Sequence, residues 1–397
     1  MTGHSGLVTI PPCSGRDSVL RLIGEQQTTI PFLVYGEPDS PALVHELQLI
    51  PAGAAAVIGV EDRRLVVCGS FDLERMNSLD GFDIVTFDDL GLGEALVDPS
   101  LVNEATWRCL LRACSDLGVS TAQVPPGFPL EAANYFFEAG LTVEPNRLFF
   151  EDRRRVKSPR ELEGIRTALA ATHEAMAAVQ RRLFDDGLSR DVSVEELRVL
   201  ARQVLAEHDC VSHRILAIAP GVQSAIIHPE GDGTVERGAP VLVDIFPQHM
   251  GSGCWGDLAR TFCLGRPPTA LIELRELVEA GQALAISAVG PGVTGDELNA
   301  AVSELFESAG FKTLRSHDQE EPLEEGFAHR LGHGLGLEVH EAPSVGKSGG
   351  PLRTGDVITL EPGLYVRGFG GYRVEDVVLV TDEGAELLTS FSHELTP

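Results

Sequence analysis

Two segments near the C-terminus place metal-competent side chains inside strand-like apolar runs. His333 lies in GHGLGLEVHEAP (residues 332–343), Glu361 in VITLEPGLYV (357–366) and Glu375 in YRVEDVVLV (372–380). A carboxylate in such a run is costly to bury unless it is paired, hydrogen-bonded or holding a cation. A matching pair stands upstream: Asp244 ends the apolar run of PVLVDIFP, and Asp257 opens the next in GDLARTFCLG. Four carboxylates and one histidine make a hard, oxygen-rich donor set that suits manganese, cobalt or zinc. The pattern implies a metallohydrolase. In two-metal sites the ions sit ~3.5–4 Å apart and a shared water ionises near neutral pH, so no seryl or cysteinyl nucleophile is needed. Cys254, close to Asp257 but without an activating partner in sequence, reads as structural.

The elements that position these residues fall into two similar halves. Ser158-Pro159-Arg160-Glu161 is a helix start: Ser158 caps, Pro159 suits the first helical position and Glu161 reaches back to the cap. Ser193 with Glu196, and Thr294 with Glu297, open two further helices, VSVEELRVLARQVLAEHD (192–209) and VTGDELNAAVSELFESAG (293–310). These two resemble each other in cap, acidic first turn and leucine position. Each is followed by strand-like runs bearing two acids, Asp244 and Asp257 in the first half and Glu361 and Glu375 in the second. Two hairpins, each with a pair of acids, would face one another across a shared site.

The first 150 or so residues alternate strand-like runs (IPFLVYG, AAAVIGV, RLVVCGS, FDIVTF) with helical ones (ATWRCLLRACSDLG, LEAANYFFEAG), which predicts an α/β layer. EDRRRVKSPRE then shifts to charged, turn-forming residues, and the domain boundary is set there, giving domains 1–152 and 153–397. The net charge of −28 disfavours nucleic acid as a partner, since phosphate binding needs clustered Lys and Arg. Seven scattered cysteines without a CxxC pair point to reduced thiols and a cytoplasmic location. No signal peptide is visible and no apolar run approaches the ~20 residues that span a bilayer, so no membrane association is expected.

GCWGDLARTF, HRLGHGLGLEVHEAP, LEPGLY and YRVEDVVLV, in that order, resemble the motif set of the pita-bread (creatinase/aminopeptidase-like) metallopeptidases. Within that group they are most similar to the Xaa-Pro branch, the prolidases (Xaa-Pro dipeptidases) and Xaa-Pro aminopeptidases. The resemblance implies an α+β fold: a C-terminal pita-bread catalytic domain of two pseudo-symmetric halves, preceded by a smaller α/β creatinase-like domain. It also implies a homodimer and two divalent metal ions per chain, Mn2+ before Co2+ or Zn2+. Asp244 would hold one ion, Asp257 and Glu375 would bridge both, and His333 and Glu361 would bind the other, with Glu361 also handling the proton of the attacking water. His340 and His228 match catalytic histidines of the family, and His329 a histidine of the substrate pocket. Arg373 would orient the bridging Glu375, meet a substrate carboxylate (a role Lys347 could share) or simply form a structural ion pair.

Two departures touch substrate preference. The spacing from Asp244 to Asp257 is two residues longer than is usual in the family, placing an insertion around QHMGSG. A tyrosine common before the second Asp is replaced by Cys254 and Trp255. The leading expectation is hydrolysis of Xaa-Pro dipeptides. The alternatives are an Xaa-Pro aminopeptidase on longer peptides and a same-fold hydrolase or lyase on a non-peptide small molecule.

Overall fold

The computed structural model describes residues 30–185, 190–213, 216–227, 229–317 and 322–396. The four N-terminal strand-like runs form Phe32–Gly36, Ala55–Val60, Arg63–Cys68 and Asp83–Thr86. Two short strands, Thr121–Val124 and Thr142–Pro145, complete a six-stranded mixed sheet. Its two faces are covered by separate apolar clusters. One gathers Cys109, Leu110, Ala113 and Phe136 from the helices Ala105–Asp116 and Leu130–Glu138, and the other gathers Leu43 and Leu47 from the helix Pro41–Leu47. That is the layered arrangement which period-2 strands and amphipathic helices favour.

The charged segment after this sheet is not a turn. Residues Arg147–Arg155 form a helix capped by Asn146, whose side chain accepts from the Phe149 amide at 3.0 Å. Phe149 and Phe150 pack on Phe32, so apolar anchors at the start carry a basic last turn into helical geometry. The long helix Pro159–Asp185 then begins at Ser158 as its sequence predicts. The Glu161 amide donates to Ser158 Oγ at 3.1 Å, and Glu161 Oε2 accepts from the Ser158 amide at 2.9 Å.

The remaining chain builds two comparable half-sites. In the first, strands Ala217–Pro220, Pro240–Ile245 and Leu258–Cys263 form an antiparallel sheet under helices Pro159–Asp185 and Val194–Glu207. In the second, strands Val357–Leu360 and Asp376–Thr381 form the centre of a five-stranded sheet under helices Thr269–Ala288 and Gly295–Ser308. The capping box at Thr294 and Glu297 is complete, and Ser193 accepts from the Glu196 amide. The halves meet where the Glu375 amide donates to the Ala259 carbonyl at 3.0 Å. Arg260 reinforces this seam from a buried position, donating to the Glu375 carbonyl at 2.6 Å and to Asp376 at 2.7 Å. Among the described residues, no helix is long and apolar enough to cross a membrane.

Candidate metal centre

Strand pairing explains why the acids converge. Asp244 sits in the centre strand of the first sheet, opposite Ala259 on one side and Ala217 on the other. Asp257 immediately precedes the strand that begins at Leu258. In the second half, Leu360 pairs with Asp376, so Glu361 and Glu375 flank the end of that ladder on facing strands. His333 lies in the short strand Gly332–Gly334 beside Val357–Leu360, where its amide donates to Thr359 Oγ1 at 3.2 Å. Gly332 and Gly334 are required for this approach, because a Cβ on either would fall 2.0 Å and 2.3 Å from a neighbouring carbonyl oxygen.

Ligand atoms of Asp257, His333 and Glu375 lie within 4.8 Å of one another, all buried. His333 Nε2 is 3.8 Å from Asp257 Oδ2 and 3.6 Å from Glu361 Oε1. Its Nδ1 is 3.1 Å from the Gly334 carbonyl, a contact that only an Nδ1–H can make favourably, which leaves Nε2 as a lone pair facing the acids. Burial, with His340 next to it, pushes the His333 pKa down to about 3, so the ring is neutral as a ligand must be.

The carboxylates show the opposite response. Burial is the main cause of raised pKa values at Asp257, where the Asp244 and Glu361 charges add, and at Glu375, where Asp257 adds. Glu361 is pushed up to about 8, again chiefly by burial, against the pull of Arg373. With all four acids ionised, the one buried guanidinium among them, that of Arg373, would leave three negative charges uncompensated. The raised pKa values are the response to that repulsion and to burial. A hard divalent ion fits this donor set, since it would relieve the repulsion and supply the charge that burial removes from water.

Arg373 adopts the ion-pair role. Its Nη2 donates to Asp244 Oδ2 at 2.6 Å, its Nη1 donates to the Ile227 carbonyl at 3.2 Å, and Glu361 Oε2 lies 3.9 Å away. Burial alone would lower its pKa, but Tyr365, Asp244 and Glu361 hold it raised. His329 faces inward beside it. Its Nε2 is 2.9 Å from the Tyr365 hydroxyl, its Nδ1 2.8 Å from the Arg330 carbonyl and 3.9 Å from Glu361 Oε2. The His340 ring stands edge-on to His333, with centroids 4.1 Å apart. His228 lies outside the described residues.

These groups form the floor of a cavity of about 1050 Å³. Lys347, singled out in sequence, lines it, and so do Arg330, Arg315 and Phe246, which were not. Arg330 sits between His329 and His333 in HRLGH, a spacing that could have flagged it. Tyr365 belongs to LEPGLY but carries no sequence signal of its contact with His329. Of the altered 245–256 hairpin only Phe246 reaches the cavity wall. Trp255 instead supports the loop before His340, donating from its amide to the Gly336 carbonyl at 2.9 Å and from its indole to the Leu337 carbonyl at 3.2 Å. Cys254 is buried, with its thiol pushed up to about 12 by burial, as a structural cysteine should be.

The Xaa-Pro dipeptidase of Pyrococcus furiosus is 32% identical to this chain over 249 residues, which cover 62% of this chain and 66% of that one. The chain thus spans just under two thirds of the length of that relative. Two solved structures share the fold over nearly the whole chain. The prolidase from Pyrococcus horikoshii OT3 matches with a TM-score of 0.73 at 22% identity, covering 92% of this chain and 95% of its own. An X-Pro aminopeptidase from Thermotoga maritima gives 0.72 at 22% identity, with the same coverage of 92% and 95%. The fold is therefore the pita-bread fold with its N-terminal domain. A profile of metallopeptidase family M24 matches residues 163–382, more than half of the chain and all five expected ligands. The chain belongs to metallopeptidase family M24.

Proposed function

We propose that this protein is a metal-dependent Xaa-Pro dipeptidase, acting with Asp244, Asp257, His333, Glu361 and Glu375 as ligands to two divalent ions, manganese first. The observation that carries the reading is the pairing, in one cavity, of a floor of buried acids around neutral His333 with a wall bearing Arg330 and Lys347. Among the described residues neither cation has an ion-pair partner within 4 Å, so both are available to a substrate carboxylate. The Xaa-Pro dipeptidase from Pyrococcus furiosus lends the substrate class.

Bound divalent ions supply Lewis acidity, polarising the scissile carbonyl and acidifying water. The rest falls to side chains of this chain. Glu361 takes the proton of the attacking water and passes it toward the leaving proline nitrogen. His340, held against His333, donates a hydrogen bond to the oxygen on which negative charge develops, and His228 is assigned a second such role. His329, fixed by Tyr365, orients Glu361. Arg373 neutralises Asp244 and Glu361 internally, and Lys347 with Arg330 receives the substrate carboxylate.

We also infer a homodimer, a cytoplasmic setting and a division of the chain near residue 152. The deciding experiment loads the protein with Mn2+ and compares Ala-Pro with Ala-Pro-Ala and with non-peptide amides. Higher kcat/KM on Ala-Pro supports the dipeptidase reading. Equal or higher kcat/KM on the tripeptide makes it an aminopeptidase, and turnover of neither peptide removes both readings.

A further inference from the structure

The loop that presents His340 is gripped by the segment joining the N-terminal sheet to the catalytic halves. Lys157 Nζ and Glu341 form a direct ion pair, with 3% and 2% of their side chains exposed. The same ammonium donates to the Arg154 carbonyl at 2.8 Å. The second oxygen of Glu341 accepts from the Glu338 amide at 3.3 Å, closing the turn in which His340 stands. Two residues before His340, Glu338 pairs with Arg154. Thus the residues at −2 and +1 from the histidine are both tied to one short stretch of chain. A Cβ at Gly336 would fall 2.5 Å from Glu341 Oε1 and 2.9 Å from Lys157 Nζ, so the ion pair packs directly against the loop there.

The other end of the gripping segment is fixed to the N-terminal layer. Arg153 donates to both oxygens of Glu46 at 2.7 and 2.8 Å, in the helix Pro41–Leu47. Glu161 accepts from His45 of the same helix at 2.8 Å. Adjacent residues therefore point opposite ways, Arg153 toward the N-terminal helix and Arg154 with Lys157 toward the His340 loop.

We propose that Lys157 and Arg154 are positioning residues that set the place of His340 through Glu341 and Glu338, and so couple the N-terminal layer to turnover. The proposal rests on the peptidase reading above for its kinetic consequence, and on geometry alone for the ordering of the loop. Misplacing a catalytic group by about 1 Å can cost on the order of 100-fold in rate. Removing one partner of a buried ion pair strands the other charge, so the informative protein is the double variant Lys157→Met with Glu341→Gln. Its control is Arg155→Met with Asp356→Asn, a second pair from the same segment, 11% and 0% exposed, whose further side-chain hydrogen bonds run to the Pro351 carbonyl and from the Arg353 amide.

With Mn2+-loaded proteins and Ala-Pro, the first double variant should lose kcat by about 10–100-fold while KM and metal content hold. Hydrogen exchange of residues 335–341, followed in metal-free protein, should quicken in that variant. The control should change neither. Arg154→Gln, which removes only the outer pair, should give a smaller loss of kcat with the same local quickening, and it serves if the double variant does not fold. Unchanged kcat and exchange would overturn the proposal, and so would an equal loss in the control. If the unmodified protein holds metal but does not cleave Ala-Pro, the peptidase reading fails, and the exchange measurement alone decides the positioning.

Discussion

The guanidinium of Arg373 lies 2.6 Å from Asp244 Oδ2, so the cation deepest in the cavity is already engaged by one of the acids it might have served against. A group so placed acts on the acidic cluster before it acts on a substrate. Arg373→Lys is expected to lower kcat by similar factors for Ala-Pro and for its C-terminal amide. Steady-state kinetics on the two substrates checks this, and a selective loss on the free acid would return Arg373 to the substrate site.

The wall cations should behave in the opposite way. Lys347→Ala and Arg330→Ala are each expected to raise KM for Ala-Pro by about 10-fold or more, since a hydrogen bond to a charged group contributes ~1.5–3 kcal/mol. The amide, lacking the carboxylate, should be nearly indifferent to both changes.

Asp257→Ala should lose most of its bound divalent ion, because Asp257 is central to the buried cluster with His333 and Glu375. Elemental analysis after dialysis gives the answer. Full retention of metal would remove Asp257 from the ligand set.

Glu361→Gln keeps the shape of the side chain and removes its basic oxygen. Turnover of Ala-Pro should fall by about 10²–10⁴-fold, the usual range for a general base, with a far smaller change in KM. Near-normal kcat in metal-loaded variant protein would end the proton-transfer role.

Glu161 tests the domain contact through pH. Burial raises its pKa, but hydrogen bonds from His45 and Ser158 and the Lys157 charge outweigh that and hold it below the usual carboxylate range. A depressed folded-state value stabilises the fold above the unfolded pKa of ~4.3, and this contribution is lost as pH falls through the lowered value. Glu161→Gln should therefore cost about 1–3 kcal/mol at pH 7 and less at pH 3, below the unfolded value. Melting curves at the two pH values would refute this by showing an equal gap.

Much of this was legible because it is local. A cap and its acid are three residues apart, and both Ser158 with Glu161 and Thr294 with Glu297 fold as written. The five candidate ligands stand out in sequence because each lies in or beside an apolar run where an unpaired charge is costly. Legibility ends where partners are distant. Thr121–Val124 and Thr142–Pro145 are short and gain strand form from the sheet they join. The basic run 153–157 looks like an exposed turn until its partners, Glu46, Glu338 and Glu341, arrive from far along the chain. Arg373 was ambiguous for the same reason, its acid lying 129 positions away.

The seam at Ala259 and Glu375 has a thermodynamic consequence. Asp257 belongs to one half of the molecule and Glu375 to the other, so the unfolded chain, which disperses them, holds no site for an ion that needs both. Such an ion is a ligand of the native state alone. Its free concentration then sets the melting temperature, adding about 2.7 kcal/mol at a hundredfold excess over Kd. The catalytic centre would double as a clasp between the halves, and starving the protein of metal would loosen the fold as well as silence it.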